Sequence, residues 1–368
     1  MKTLKTSFFA AFILAATVAS AQLKSTPSGD NKRAMVAEQI GITDVKIIYS
    51  RPGVKGREGK IYGTSIVYTG FANKSLEYGT ATAAPWRAGA NENTTIEFST
   101  DVKIEGKDLP AGKYGFFIAY DPNECTVIFS KNSVSWGNYF YNESEDALRV
   151  KVKPVALDKS VEWLKYEFTQ QTETSTIVAM QWEKLSIPFK IDVDLNKTQI
   201  ASFRDELKGE KGFVWETWNQ AAQYCLQNNI NLEEAFKWSG FALAAQKNFQ
   251  TYSTTALLSE KMGKTKQADS LMKEALPMGS MTDLHQYGKK LISLKKPVQA
   301  LEVFKLNAKQ NPKQFTTYIG LARGYSANGD YKNALANVKL ALPLVPDPTN
   351  KSSVESMIKK LENKQDIN

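Results

Sequence analysis

Four alanines constrain the C-terminal part of this chain more than any other feature. Ala235, Ala268, Ala300 and Ala334 recur at spacings of 33, 32 and 34 residues, and seven residues beyond each stand Ala242, Ala275, Asn307 and Ala341. A period of that length marks supersecondary units that stack, because one such unit cannot bury its own apolar face. Seven residues are about two helical turns, so both small positions share one helix face and admit a close neighbour there. Residues 213–368 are therefore expected to form an α-helical solenoid.

Within the last copy, Tyr318, Leu321, Ala322, Tyr325, Gly329, Tyr331, Ala334, Val338, Ala341 and Pro346 fall at the spacing of the tetratricopeptide consensus, and the array resembles that repeat family. Pro312 and Pro346 are expected to end second helices. The third copy departs at Asn307 and Pro297, and Val354 to Leu361 reads as an amphipathic capping helix. With the fourth repeat starting at Phe315, the resemblance places Ile319 and Arg323 on the concave face, and His285 and Lys289 at the same positions of the third repeat. Gln220 and Tyr224 come from the first repeat. A cationic, amide-lined groove of this kind implies a protein or peptide partner, and an acidic or carboxylate-terminated segment matches Lys289 and Arg323.

Upstream, the period is two. Leu185, Ile187, Phe189, Ile191, Val193 and Leu195 alternate with polar residues and Pro188, which predicts a strand with one buried face. Pro188 donates no ladder hydrogen bond and argues for a sheet edge. Similar strands read at Val45–Tyr49, Thr95–Ile104, Lys113–Tyr120, Thr126–Ser130, Leu148–Val155, Trp163–Thr169 and Thr176–Trp182. Residues 22–195 are thus expected to form an antiparallel β-sandwich or jelly-roll-like domain, joined by a linker over 196–212 to the solenoid.

The first 21 residues have the pattern of a secretory signal peptide: Lys2 and Lys5, an apolar Phe8–Val18, then Ala19-Ser20-Ala21 before Gln22. They predict cleavage after Ala21 and a periplasmic or secreted location in a Gram-negative envelope, with no membrane span in the mature chain. Cys125 and Cys225 fall in different halves and are read as buried free thiols.

The formal charge of +9 is not that of a nucleic-acid groove. From 22 to 190 there are 21 basic and 20 acidic residues, and from 191 onward 24 and 18, so the surplus belongs to the helical half, without aromatic interleaving. No nucleic-acid partner is expected. A single histidine, His285, excludes histidine-based triads and multi-histidine metal sites within one chain. No nucleotide-binding fingerprint occurs either, and no metal or cofactor is expected.

Two loops carry the candidate ligand chemistry. Arg51-Pro52-Gly53-Val54-Lys55-Gly56-Arg57 is a glycine-rich basic connection suited to an anion, with Arg51, Lys55 and Arg57 as its cations, or else a solvated turn. Trp86-Arg87-Ala88-Gly89-Ala90-Asn91-Glu92 gathers an aromatic, a guanidinium, an amide and a carboxylate; a sugar or peptide pocket uses such groups, and so does a packed corner. Trp136 is a further candidate for the same ligand. The expected role is binding of a small anionic or glycan ligand, or of a second protein. The alternative is a histidine-independent, carboxylate-based hydrolase centred on Glu92 and Arg87. No catalytic residue is assigned.

These motifs, together with Asp108-Leu109-Pro110-Ala111-Gly112-Lys113-Tyr114, Trp136-Gly137 and Asp146-Ala147-Leu148-Arg149-Val150, resemble the exported bacterial family known as domain of unknown function 2911 over about Ala34–Val193. The resemblance implies an envelope location and no established activity. This chain departs from it by an insertion between Gly63 and Trp86.

Overall fold

A computed structural model describes residues 30–75 and 77–368. The signal-peptide reading on residues 1–21 lies outside the described residues. The chain divides into two compact units between Thr198 and Gln199.

The N-terminal unit is built of antiparallel strands. Six of them, β1 (Lys32–Ile40), β2 (Thr43–Arg51), β5 (Thr95–Phe98), β8 (Gly112–Ala119), β9 (Cys125–Ser130) and β10 (Asp146–Val152), form one sheet in that spatial order. A second sheet runs β11 (Val155–Thr169), β12 (Ser175–Asp192), β6 (Val102–Ile104), β7 (Lys107–Leu109), and a short pair joins β3 (Ala72–Asn73) to β4 (Ala83–Ala84). Alternation decides which side chains turn inward: Val45, Ile47 and Tyr49 of β2 are buried while the residues between them are more exposed. Aromatic rings of both sheets meet in one core, with Phe116 of β8 against Tyr166 of β11 (5.9 Å) and Phe189 of β12 (5.5 Å).

Several expected boundaries shift. The run Thr95–Ile104 is two strands in different sheets, and the runs at Thr176 and Leu185 are one 18-residue strand, β12. That strand is interior, not an edge. Pro188 is tolerated because pairing to β11 stops at Ser186 and pairing to β6 starts at Ile191, so its missing N–H falls in a gap of the ladder.

The second unit is helical. The hairpins are α2/α3 (Trp215–Asn228, Leu232–Ala245), α4/α5 (Phe249–Lys261, Thr265–Ala275), α6/α7 (Met281–Ser293, Pro297–Gln310) and α8/α9 (Phe315–Ala327, Tyr331–Ala341), followed by α10 (Pro348–Glu362). The eight repeat positions read from the sequence, Ala235 to Ala341, are all buried. Asn307 fits at its alanine position because its Nδ2 donates to the Met281 carbonyl at 2.9 Å and its Oδ1 accepts from Asn311 at 3.0 Å. Pro297 opens α7, where its missing N–H is unneeded.

The expected linker over 196–212 is largely helical: α1 spans Leu195–Glu206. Ile200 and Leu207 are buried with Ala221, Cys225 and Trp238, and Phe203 packs against the same cluster. Arg204 adds a forked pair to Glu234 of α3. The apolar spacing Ile200, Phe203, Leu207 is that of a helix face, and it outweighs the loop signal of Lys208-Gly209-Glu210-Lys211-Gly212. Cys125 and Cys225 are free and buried; burial pushes the Cys225 thiol up to about 11.

Candidate ligand cavity and repeat groove

The two motif loops are fixed to the sheets by backbone pairing. Trp86 forms an isolated bridge with Ile118, N–H to carbonyl in both directions at 3.0 and 2.9 Å. Gly53 bridges Trp163, and Val54 N–H donates to the Glu162 carbonyl at 2.8 Å. Between the loops opens a cavity of about 690 Å³, lined among others by Lys55, Arg57, Trp86, Arg87 and Asn91 from the motifs. Its remaining polar wall comes from Asn31, from Ser65, Tyr68 and Lys74 of the insertion, and from Asn138 and Tyr139, just past Trp136-Gly137. Trp182 of β12 completes it, stacked on Trp86 with centroids 6.0 Å apart.

The cations are held in place individually. Arg57 donates Nε to the Val54 carbonyl (2.9 Å) and Nη2 to the Gly53 carbonyl (2.6 Å). Arg87 donates Nη1 to the Asn91 carbonyl (3.0 Å) and lies over the Tyr139 ring. Gly137 makes room for it: with φ +59°, its position would put a Cβ 2.6 Å from Arg87 Nη1. Lys74 also lies over Tyr139 and grips Glu77 at 2.8 and 3.0 Å. Lys55 Nζ is 3.8 Å from Asp30, and the Lys55 N–H donates to Glu162. Among the described residues, neither Arg57 nor Arg87 takes part in an ion pair, and the cavity lining contains four cations and no carboxylate.

Two buried polar atoms of this wall have no hydrogen-bond partner, Trp182 Nε1 and Asn138 Oδ1, on residues 1% and 3% exposed. Asn138 Nδ2 donates to the Pro85 carbonyl at 2.8 Å and to the Tyr68 hydroxyl, which fixes the amide's orientation. Burial raises the Tyr68 pKa, with Arg87 acting in the opposite direction.

Three residues expected at the site lie outside this lining. Arg51 is used structurally, donating Nε to the Leu164 carbonyl at 2.8 Å. Glu92 accepts from Ser50 Oγ at 3.1 Å and stands 3.9 Å from Arg33, with no ion pair to Arg87 or Arg51. Trp136 is half exposed. Tyr68 and Lys74 lie in the insertion, Asn138 and Tyr139 follow a short motif, and Trp182 reads as one more strand residue. Only the insertion itself signalled the first two.

In the repeats, His285, Lys289, Ile319 and Arg323 line one cavity of about 200 Å³, with α10 contributing Asn350, Ser353, Val354 and Met357. Gln220 and Tyr224 do not line it; Gln220 is exposed on α2, and Tyr224 packs edge-on against Phe203 at 5.4 Å. His285 Nδ1 and Arg323 Nε are buried without a hydrogen-bond partner. Burial, then Arg323 and Lys289, lower the His285 pKa to about 4, so the ring is neutral at pH 7. Arg323 Nη1 reaches Asn368 Oδ1 at 3.5 Å, and Asp366 accepts from Ser326 at 2.6 Å. Among the described residues there is no cluster of three or more metal-ligating side chains, and no helix is long and apolar enough to cross a membrane.

An antiparallel-sheet domain with a polar cavity, followed by stacked helical hairpins, defines a two-domain protein of the tetratricopeptide-repeat class. Residues 31–191 match the family described as "Protein of unknown function (DUF2911)", and the N-terminal domain belongs to it. No curated protein matches the chain. Among solved structures, the chain is similar to MamA from Desulfovibrio magneticus RS-1 (15% identity, 42% of this chain and 96% of that one, TM-score 0.28). It is also similar to YrrB, described as a TPR protein with an unusual peptide-binding site (16%, 44% and 89%, TM-score 0.28). A tetratricopeptide repeat protein from Parabacteroides merdae is a third (18%, 46% and 68%, TM-score 0.31).

Proposed function

We propose that this is an exported, non-catalytic binding protein of the cell envelope, in which the repeats hold an acidic polypeptide segment and the N-terminal domain takes a small anionic ligand. The observation that carries the reading is the cavity between the motif loops, with four cations and no carboxylate in its lining. Taking unpaired guanidinium groups partly out of water is unfavourable unless an anion compensates them, and Arg57 and Arg87 have no carboxylate partner among the described residues. The repeat cavity has the same character on a smaller scale, with Lys289 exposed and Arg323 half-buried.

Thermal unfolding of the purified chain at fixed ionic strength, with phosphate, sulfate, acetate and glucose added in turn, tests the N-terminal half of the reading. Stabilisation by an anion and none by glucose is expected; equal response to all four sinks it. For the repeats, fluorescence anisotropy with a labelled hexaglutamate peptide should show binding that Lys289→Glu weakens, and an unchanged affinity refutes that groove. Export is tested by mass spectrometry of the protein from its native envelope, where the N-terminus should be Gln22; retention of Met1 overturns it.

A further inference from the structure

We infer that residues 365–368, the segment after α10, are an internal ligand of the repeat groove, and that they show what the groove recognises in a partner: an aliphatic side chain between two carboxylates. This deepens the acidic-peptide reading of the repeats and rests on it. The course of the segment is fixed where it leaves the helix. Lys364 takes the left-handed conformation at φ +58°, its N–H donates to the Leu361 carbonyl (3.0 Å), and that of Gln365 donates to the Lys360 carbonyl (2.9 Å). That pair of bonds closes a helix and reverses its direction. The chain is thereby turned back onto α8. On that helix Ile319, Arg323 and Ser326 follow at intervals of four and three residues, so they share one face, and the repeat resemblance assigns Ile319 and Arg323 to the groove.

Three successive residues are held on this face. Ser326, itself 2% exposed, donates its hydroxyl to Asp366 Oδ1 at 2.6 Å and accepts the Ile367 N–H at 3.1 Å. Ile367 is buried in the same cluster as Ile319, Val354 and Leu361. Asn368 donates Nδ2 to the Arg323 carbonyl at 3.1 Å and accepts from Arg323 Nη1 at 3.5 Å. Main-chain hydrogen bonding together with a pocket for one side chain is how a groove reads a peptide. The occupant is weakest at its last position. There Arg323 meets a neutral amide oxygen at the long limit of a hydrogen bond, and Asp366 acts on the cation only at longer range. A carboxylate in place of the Asn368 amide would form the charge-assisted bond that a guanidinium prefers. An external segment of the pattern acid, aliphatic, acid therefore displaces the internal one.

Fluorescence anisotropy of the full chain with labelled, C-terminally amidated peptides tests this: Lys-Gln-Asp-Ile-Glu, the same peptide with Ser in place of Ile, and hexaglutamate. Asp366→Ala and Ile367→Ala together remove the anchors of the internal ligand and should tighten binding of Lys-Gln-Asp-Ile-Glu about tenfold or more, because an intramolecular competitor is lost. The serine peptide should bind about tenfold more weakly than the isoleucine peptide, through loss of buried apolar area. Asn368→Glu acts in the opposite sense: it strengthens the internal ligand and should weaken Lys-Gln-Asp-Ile-Glu about threefold or more. Circular dichroism melts verify that the variants fold; if the double variant does not, Asn368→Glu, at an exposed position, and the two peptides on the natural chain still decide. Affinities unchanged by these substitutions, or equal for the isoleucine and serine peptides, overturn the internal ligand, and hexaglutamate binding that Lys289→Glu weakens then leaves the groove reading standing. Binding of no peptide by any of the chains overturns both.

Discussion

At the residue scale, the cavity depends on one glycine as much as on its charges. Gly137 adopts a left-handed conformation and its Cα sits where a Cβ would collide with the Arg87 guanidinium. Gly137→Ala should therefore cost about 1–3 kcal/mol of stability through backbone strain and lower anion affinity by about tenfold or more through displacement of Arg87; titration alongside thermal melts reads both. The repeats have their own sensitive residue. His285 titrates in the folded state at about 4, below its usual 6.5, so the unfolded chain binds the proton first on acidification. Its contribution to stability is complete above pH 6.5 and is lost as pH falls toward 4. Melting of the helical unit should decline over that window more steeply in the natural chain than in His285→Gln, and parallel profiles would refute it. Trp86, Arg87 and Asn91, which line the candidate cavity, stood out in the sequence because unusual side chains cluster within a few positions. Trp182 was not: strand alternation explains a buried tryptophan fully, and only its unpaired indole nitrogen sets it apart.

At the element scale, the helix contacts are governed by a socket around Phe304 of α7. Cβ atoms added at Gly288 of α6 and at Gly320 and Gly324 of α8 would come within 2.5, 2.6 and 2.9 Å of its ring. Alanine favours an isolated helix over glycine by about 1 kcal/mol, but overpacking costs about 1–3 kcal/mol. Gly288→Ala and Gly320→Ala should thus destabilise the repeats, and Phe304→Ala should do so by about 3–5 kcal/mol; denaturant midpoints of the helical unit measure this. Stabilisation by either glycine substitution would show that the ring has room to move. The alanine period made these hairpins legible because repetition averages out local noise. Strand boundaries were less so. β5 and β6 are continuous in pattern yet belong to different sheets, and α1 was hidden by the glycines and lysines that follow it.

At the scale of the molecule, each unit has cores of its own: in the sheet domain an aromatic one shared by two sheets and a smaller one around Phe117 and Tyr141, in the helical unit others distributed along the hairpins. Such units are expected to unfold in separate transitions. A ligand that binds only the native N-terminal domain raises that transition by mass action and leaves the other unmoved, about 2.7 kcal/mol at a hundredfold excess over Kd. Calorimetry with and without phosphate at fixed ionic strength should show one peak shifting, and acidification should move the other; a single peak moved by both treatments would refute this independence.

The stacked indoles of Trp86 and Trp182 have an optical consequence. Their rings lie 6.0 Å apart and 18° from parallel, close enough for their electronic transitions to mix and split into a pair of bands of opposite sign. That couplet would be a spectral fingerprint of the cavity wall, superimposed on the helical signal of the repeats. Trp182→Phe should erase it while the backbone bands persist, giving the sheet domain a reporter that needs no dye.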